Sequence, residues 1–186
     1  MQKKSSTMSL DEFKDMREEW RKSIAEAEIK RIQYLKGQNQ LHRTYTQVKK
    51  NQYIVQTLID KKLKYRLDTA KNVVLVGCGM HPYSLFDLHQ QYPHIKSVGV
   101  EIVRERAQLA EILINHSPAK ESITVVNQNG LDYDYSWLDI DDLVFVSVDV
   151  EVEKKIQEKV IMTSKASAFL CAPYHTSWRE AWLSNT

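Results

Sequence analysis

A run of apolar, mostly β-branched residues, Val73 to Val76, stops at a closely spaced glycine pair, Gly77 and Gly79. Such a run predicts a buried strand, and glycines let the backbone turn tightly beneath a ligand. A strand that ends in Gly-x-Gly is typical of the first crossover of a doubly wound α/β domain, where the turn faces a nucleotide. The sequence therefore predicts a cofactor site directly after this strand.

An acidic residue further along the chain fits the same kind of site. Glu101 stands 24 positions after Gly77 (101 − 77), at the end of a second short apolar strand. An acid about 20 residues after the glycines can accept hydrogen bonds from both ribose hydroxyls. Pro82 occupies the place of the third glycine in the dinucleotide fingerprint G-x-G-x-x-G and begins a helix, which disfavours NAD and FAD. An adenosine without a pyrophosphate fits the pattern better.

With these residues the chain resembles the class I S-adenosylmethionine-dependent methyltransferases, over roughly residues 71 to 178. The resemblance depends on Gly77-Cys78-Gly79, on Glu101 and on the later turn Asn127-Gln128-Asn129-Gly130. It implies S-adenosylmethionine as the cofactor.

The order of elements after residue 71 predicts the fold class. Strands are predicted at 72–76, 97–100, 123–126, 143–148 and 167–171, and helices at 83–91, 104–115 and 153–162. Strands that alternate with helices require parallel pairing and right-handed crossovers. We therefore expect an α/β, doubly wound (Rossmann-like) parallel sheet of about five strands in the order 3-2-1-4-5. Residues 172–186 are too few for the sixth and seventh strands of the family's complete sheet.

The first 70 residues predict an N-terminal helical cap, which leaves 71–186 as the cofactor-binding domain. A capping box at Ser9 and Glu12 precedes apolar residues at spacings of three and four, which predicts a long helix ending near Gly37. A second helix is predicted from Thr44 to Lys64. The apolar stripe of the first helix must be buried, either on the chain's own sheet or across a homodimer interface.

The charge distribution and the cysteine content limit the cellular environment and the partners that the sequence predicts. Residues 1–70 hold 16 Lys and Arg against 9 Asp and Glu, and residues 71–186 hold 10 against 15. The interleaved signs in the first part favour a solvated helix face over a nucleic-acid interface. Cys78 and Cys171 predict buried free thiols in a reducing compartment. No apolar run of spanning length and no signal peptide core occurs, so we expect a soluble cytoplasmic protein without a membrane partner.

Residues that follow the other strands complete the predicted site, because ligands bind at the carboxyl ends of parallel strands. Asn129 could reach the adenine edge, although an ordinary Asn-Gly turn explains it equally well. Asp149 would lie near the sulfonium or only complement a helix dipole. Tyr174 and His175 are the catalytic candidates, although a single loop histidine is more often a bystander. The cofactor-binding set is then Gly77, Cys78, Gly79, Pro82, Glu101, Asn129, Gly130 and Asp149, and no metal site is predicted because no ligand set has suitable spacing.

The loop from Gly77 to Ser84 also resembles the Gly-x-Gly-x-x-Pro-x-Ser/Thr loop of nicotianamine synthase-like proteins. That resemblance implies the same fold behind N-terminal helices, with transfer of the aminocarboxypropyl group. We therefore expect an S-adenosylmethionine-dependent transferase, a methyltransferase acting on a small molecule. Aminocarboxypropyl transfer or cyclisation of S-adenosylmethionine is the first alternative. A non-catalytic binding module, with the sheet as its scaffold, is the second.

Overall fold

The first element that the structure describes is one long helix, which belongs to a compact unit separate from the sheet. The computed structural model describes residues 10–50, 52–147, 150 and 152–171, and the chain divides into two compact units, Met1–Gln40 and Leu41–Thr186. Helix α1 (Leu10–Gly37) runs for 28 residues. It ends in a Schellman-type turn, in which Asn39 has a φ of 52° and the Gln40 amide donates to the Leu35 carbonyl. The helix predicted to end near Gly37 is confirmed.

Two short helices and a 3-10 turn stand where one helix, from Thr44 to Lys64, is predicted. They are α2 (His42–Thr46), α3 (Tyr53–Asp60) and the 3-10 turn at Lys64–Asp68. The prediction of a continuous helix is wrong, because Gln52 adopts an extended conformation and its amide donates to the buried Asp87 carboxylate at 3.0 Å. These elements belong to the same compact unit as the sheet, and a capping role for residues 1–70 stays a prediction.

Five parallel strands form one sheet in the order β3-β2-β1-β4-β5, which confirms the predicted fold class and strand order. Every residue of β4 and all but the first of β1 are buried, as expected for central strands of a parallel sheet. The strands are β1 (Asn72–Val76), β2 (Lys96–Glu101), β3 (Ile123–Asn127), β4 (Leu143–Val146) and β5 (Ser167–Leu170). The crossover helices are α4 (Tyr83–Gln91), α5 (Arg104–Asn115) and α6 (Glu153–Thr163).

The order in which the chain adds strands to the sheet reverses beside β1, while all strands stay parallel. The chain proceeds from β1 to β2 and β3 on one side, and then crosses to β4 and β5 on the other. In such sheets the crevice that binds ligands lies at the carboxyl ends of the strands at this reversal. The residues that follow β1, β2 and β4 therefore line the expected site. Among the described residues, no helix has the length and apolarity needed to cross a bilayer.

A hydrogen-bonded pair of aromatic side chains, Tyr45 and His89, joins α2 to α4. The Tyr45 hydroxyl lies 2.8 Å from His89 Nδ1, and the Tyr45 ring meets Phe86 edge to face at 5.3 Å between centroids. Desolvation, followed by the charge of Lys96, lowers the pKa of His89. The folded state therefore favours neutral imidazole, whereas the unfolded chain takes up a proton near the ordinary pKa of about 6.5.

We expect the melting temperature to decrease as the pH falls from 7 to 5.5, because the unfolded state binds the His89 proton first. A His89→Gln variant should show a weaker pH dependence than the wild type. His42→Gln is the matched control, because His42 is exposed. Thermal unfolding between pH 5 and 8 measures this effect, and equal pH dependence in all three proteins would contradict it.

Candidate functional site

The glycine turn after β1 is packed on one side and open on the other. Gly77 has a φ of 76°, and a Cβ there would lie 2.7 Å from Val150 Cγ2 and 3.1 Å from Ser147 Cβ. Gly79 has a φ of 69°, and a Cβ there would meet nothing within 4 Å. Gly77 thus lets the segment after β4 approach the turn closely, while Gly79 leaves room at the carboxyl end of the sheet.

Glu101 connects this turn to the next crossover. Glu101 as a residue is 4% exposed. Its Oε2 accepts the Gly79 amide proton at 2.9 Å and its Oε1 accepts that of Val103 at 3.0 Å. Backbone donors of this kind compensate a buried charge. A carboxylate offers about four acceptor positions, so each oxygen can still accept one further hydrogen bond. The sequence related Glu101 to the glycine turn only by their spacing. In the structure a hydrogen bond joins the two directly.

Cys78 and Pro82 support the turn. Cys78 is 6% exposed, and its Sγ would lie only 2.7 Å from a Cβ built on Gly99 of β2. Burial, followed by the charge of Glu101, raises the pKa of the Cys78 thiol, which therefore stays protonated. Pro82 is the N-cap of α4 and its carbonyl accepts the Phe86 amide proton at 2.9 Å. Cofactor contact by either residue stays a prediction.

A side-chain hydrogen bond and close packing hold the turn after β3 in place. Asn129 Oδ1 accepts the Leu131 amide proton at 2.9 Å, as in an Asx turn. A Cβ on Gly130 would lie 2.6 Å from Val76 Cγ1 and 2.9 Å from Ile156 Cδ1. The close approach that Gly130 permits is therefore to β1 and α6. Cofactor binding by these two residues stays a prediction.

Asn127 and Ile102 lie beside Glu101 but are not in the predicted cofactor-binding set, although Asn127 belongs to the turn on which the resemblance depends. Asn127 is the last residue of β3 and pairs in register with Glu101. Its Nδ2 donates to the carbonyls of Glu101 at 2.9 Å and Ile102 at 3.0 Å, which leaves its Oδ1 as an acceptor. Ile102 is 62% exposed and Val103 is 36% exposed. Their position in the sequence was the available signal, because Ile102 and Val103 directly follow Glu101, the predicted ribose-binding acid.

The remaining predicted site residues, Asp149, Tyr174 and His175, lie outside the described residues. Cys171, at the end of β5, is buried, and desolvation raises its pKa to about 12. In the described part of the chain, no group of three or more His, Cys, Asp or Glu residues could hold a metal ion. The fold brings Gly77, Gly79 and Glu101 together. The Glu101 oxygens are hydrogen-bond acceptors, and the exposed residues Ile102 and Val103 directly follow Glu101.

No family model matches the chain, and no curated protein sequence matches it. It is similar to a Staphylococcus aureus protein assigned as a caffeoyl-CoA O-methyltransferase, at 15% identity over 81% of this chain and 69% of that chain, with a TM-score of 0.49. An O-methyltransferase from a Brevibacillus brevis trans-AT PKS multienzyme, in complex with S-adenosyl-L-homocysteine, matches at 16% identity over 62% and 42%, with a TM-score of 0.47. A variant of the nicotianamine synthase MtNAS matches at 16% identity over 68% and 51%, with a TM-score of 0.46.

The chain spans about half or less of the first three solved structures that match it, at 49%, 50% and 21% of those chains. Methyltransferases and a nicotianamine synthase, the two kinds of protein that the sequence resembles, are both among the similar structures.

Proposed function

We propose that this chain is an S-adenosylmethionine-dependent transferase whose reaction is methyl transfer to a small molecule. The observation that carries the proposal is the hydrogen bond between the Gly79 amide and the buried Glu101 carboxylate, at the carboxyl ends of β1 and β2. It brings an oxygen acceptor, an open glycine and the exposed Ile102 side chain to one edge of the sheet. Adenosine presents a vicinal diol and a flat, largely apolar base, which match these groups.

Glu101 has the acceptor capacity that a ribose needs. Each of its oxygens already accepts one backbone proton, from Gly79 or Val103, and can accept one hydroxyl proton in addition. Hydrogen bonds to a buried carboxylate are stronger than those between neutral groups. The exposed Ile102 would cover one face of the base, and Asn127 Oδ1 or Asn129 would accept the exocyclic amine.

A dinucleotide fits the same turn less well. A pyrophosphate is held by amide protons at a helix N-terminus. Pro82 occupies the position of the third glycine of the dinucleotide fingerprint, which packs the helix closely on the strand, and it adds no amide proton at the N-cap. S-adenosylmethionine requires no such donor from the helix, because its adenosine carries an amino-acid arm instead of phosphates.

The described residues bind and orient rather than attack. Bound S-adenosylmethionine supplies an electrophilic carbon beside its sulfonium, so the protein must mainly align the acceptor and exclude water. Cys78 lies in the turn, but its thiol is buried and its pKa is raised, which disfavours it as a nucleophile. Any proton transfer is proposed for Tyr174 and His175, and Asp149 is proposed near the sulfonium.

Aminocarboxypropyl transfer is the second candidate. It is favoured by Pro82 at the start of α4 and by Ser84, 5% exposed in its first turn, which complete the Gly-x-Gly-x-x-Pro-x-Ser pattern. The two reactions differ in which carbon of the sulfonium meets the acceptor, and hence in the product that remains from the cofactor.

Titration calorimetry of the full chain with S-adenosylmethionine and S-adenosylhomocysteine tests the cofactor. We expect binding in the sub-millimolar range to both ligands, with NAD as the matched control ligand that does not compete. Absence of heat with both ligands would favour the non-catalytic module and contradict the proposal. Incubation with candidate small acceptors then separates the reactions, since methyl transfer releases S-adenosylhomocysteine and aminocarboxypropyl transfer releases methylthioadenosine.

A further inference from the structure

A basic segment, Lys61–Lys71, joins α3 to β1. It contains five Lys or Arg residues and one acid, Asp68. Residues 72–186 hold nine Lys and Arg against fifteen Asp and Glu. The compact unit from Leu41 onward therefore has a positive segment ahead of an acidic sheet domain. Such asymmetry attracts anionic partners to one part of the surface.

The lysines of this segment are available to a partner. Lys61, Lys62, Lys64 and Lys71 are exposed, and none of them forms an ion pair or a hydrogen bond with an acid in the described part of the chain. Lys71 acts on an acid only at longer range: the pKa of Asp139 is lowered first by the Ile140 amide, then by Lys165, and least by Lys71. Tyr65 stands between Lys64 and Lys71 in the sequence, and 66% of its surface is exposed. An aromatic ring flanked by cations is the arrangement on which unpaired bases stack while lysines meet the phosphates.

Arg66 holds the segment in place. One of its terminal nitrogens donates to Ser167 Oγ and the other donates to the Ile140 carbonyl at 2.8 Å. It is therefore engaged with the sheet domain, and the exposed side chains around it project from an anchored stretch of backbone.

Lys62 occupies a position where glycine is the usual residue. Its φ is 58°, its amide donates to the Ile59 carbonyl, and the Leu63 amide donates to the Leu58 carbonyl, as in a Schellman motif. A lysine there costs about 1 kcal/mol or more relative to glycine. The dipole of α3 favours one cation at this end. It does not explain three further lysines around an exposed tyrosine.

We propose that Lys61, Lys62, Lys64, Tyr65 and Lys71 form a binding surface for single-stranded nucleic acid. The lysines contact backbone phosphates and Tyr65 stacks on a base. The surface precedes β1, whereas Glu101 lies at the carboxyl end of β2, so the five residues of β1 separate the two by about 17 Å. It is therefore distinct from the cofactor site. The net charge of the first 70 residues does not reveal this surface, because α1 contributes both acidic and basic residues to that total.

Fluorescence anisotropy with labelled 12-nucleotide RNA and DNA of the same sequence tests the charge contribution. A Lys62→Gln/Lys64→Gln double variant of the full chain should bind roughly 10- to 30-fold more weakly at 0.1 M salt, and the slope of log K against log salt should decrease by about 1.4. The matched control is Lys154→Gln/Lys155→Gln, two exposed lysines of α6. Binding to either RNA or DNA supports the proposal, and an equal loss in the control overturns it.

The aromatic contribution separates nucleic acid from other polyanions. Tyr65→Ala should weaken binding about tenfold, whereas Tyr65→Phe should retain it because the ring remains. An unchanged affinity in Tyr65→Ala would overturn the proposal. Binding to vesicles of anionic lipid or to polyglutamate, without binding to the oligonucleotides, would also overturn it. Thermal unfolding should give the wild-type melting temperature for every variant, which shows that each one folds whether or not the chain binds S-adenosylhomocysteine.

Discussion

Glu101→Gln is expected to weaken the binding of S-adenosylhomocysteine by about a hundredfold. The carboxylate is proposed to accept both ribose hydroxyl protons, and each hydrogen bond to a buried charge contributes about 1.5 to 3 kcal/mol, or at least tenfold. Glutamine keeps one carbonyl acceptor but places an amino group towards the amide of Gly79 or Val103. The variant should therefore also melt at a lower temperature than the wild type.

The control for this experiment is Glu105→Gln, which removes the same charge from an exposed position in the first turn of α5. Calorimetry at a temperature where all three proteins are folded gives the dissociation constants. Wild-type affinity in Glu101→Gln would contradict the ribose assignment, whatever the melting temperatures are. Equal weakening by both substitutions would indicate long-range charge rather than direct contact.

Gly77→Ala and Gly79→Ala are expected to have opposite dominant effects, although both glycines have positive φ. In Gly77→Ala the new methyl group meets Val150 and Ser147, so the free energy of unfolding should decrease by about 2 to 5 kcal/mol, from backbone strain and overpacking together. In Gly79→Ala only the strain applies, at about 1 to 2 kcal/mol, because the methyl group meets nothing within 4 Å.

The methyl group of Gly79→Ala instead projects into the open space beside Glu101, where the cofactor is proposed to bind. We therefore expect Gly79→Ala to lose most of its affinity for S-adenosylhomocysteine while it remains folded. Urea denaturation measures the stability of each variant, and calorimetry measures its affinity. A destabilised Gly79→Ala that binds normally would contradict this account, as would a fully stable Gly77→Ala.

The sequence predicted the sheet and its crossover helices because local signals mark their ends. The bounds of β1 and α4 match the prediction, since a glycine turn and Pro82 interrupt the chain between them. No comparable signal stands between residues 44 and 64. There the helix is interrupted by a hydrogen bond from Gln52 to Asp87, 35 positions away, which no local pattern reveals.

The same distinction applies to the site. The pairing of the glycine turn with Glu101 follows from a spacing that many nucleotide sites share. The position of Asn127 opposite Glu101 depends on strand register, and the sequence alone does not distinguish it from Asn129. The sequence does not distinguish Arg66 from the lysines of Lys61–Lys71. In the structure Arg66 donates hydrogen bonds to the sheet domain, whereas the lysines are exposed.

The hydrogen bonds from Gly79 and Val103 to Glu101 also bear on when water leaves this site. Glu101 is almost entirely buried, so its carboxylate loses most of its hydration shell when the chain folds. The ribose proposed to bind there would have little water to displace from this carboxylate. On this proposal, discrimination between a ribose and a sugar that lacks one hydroxyl would depend on hydrogen bonds that form when the chain folds, and hence on the stability of the fold.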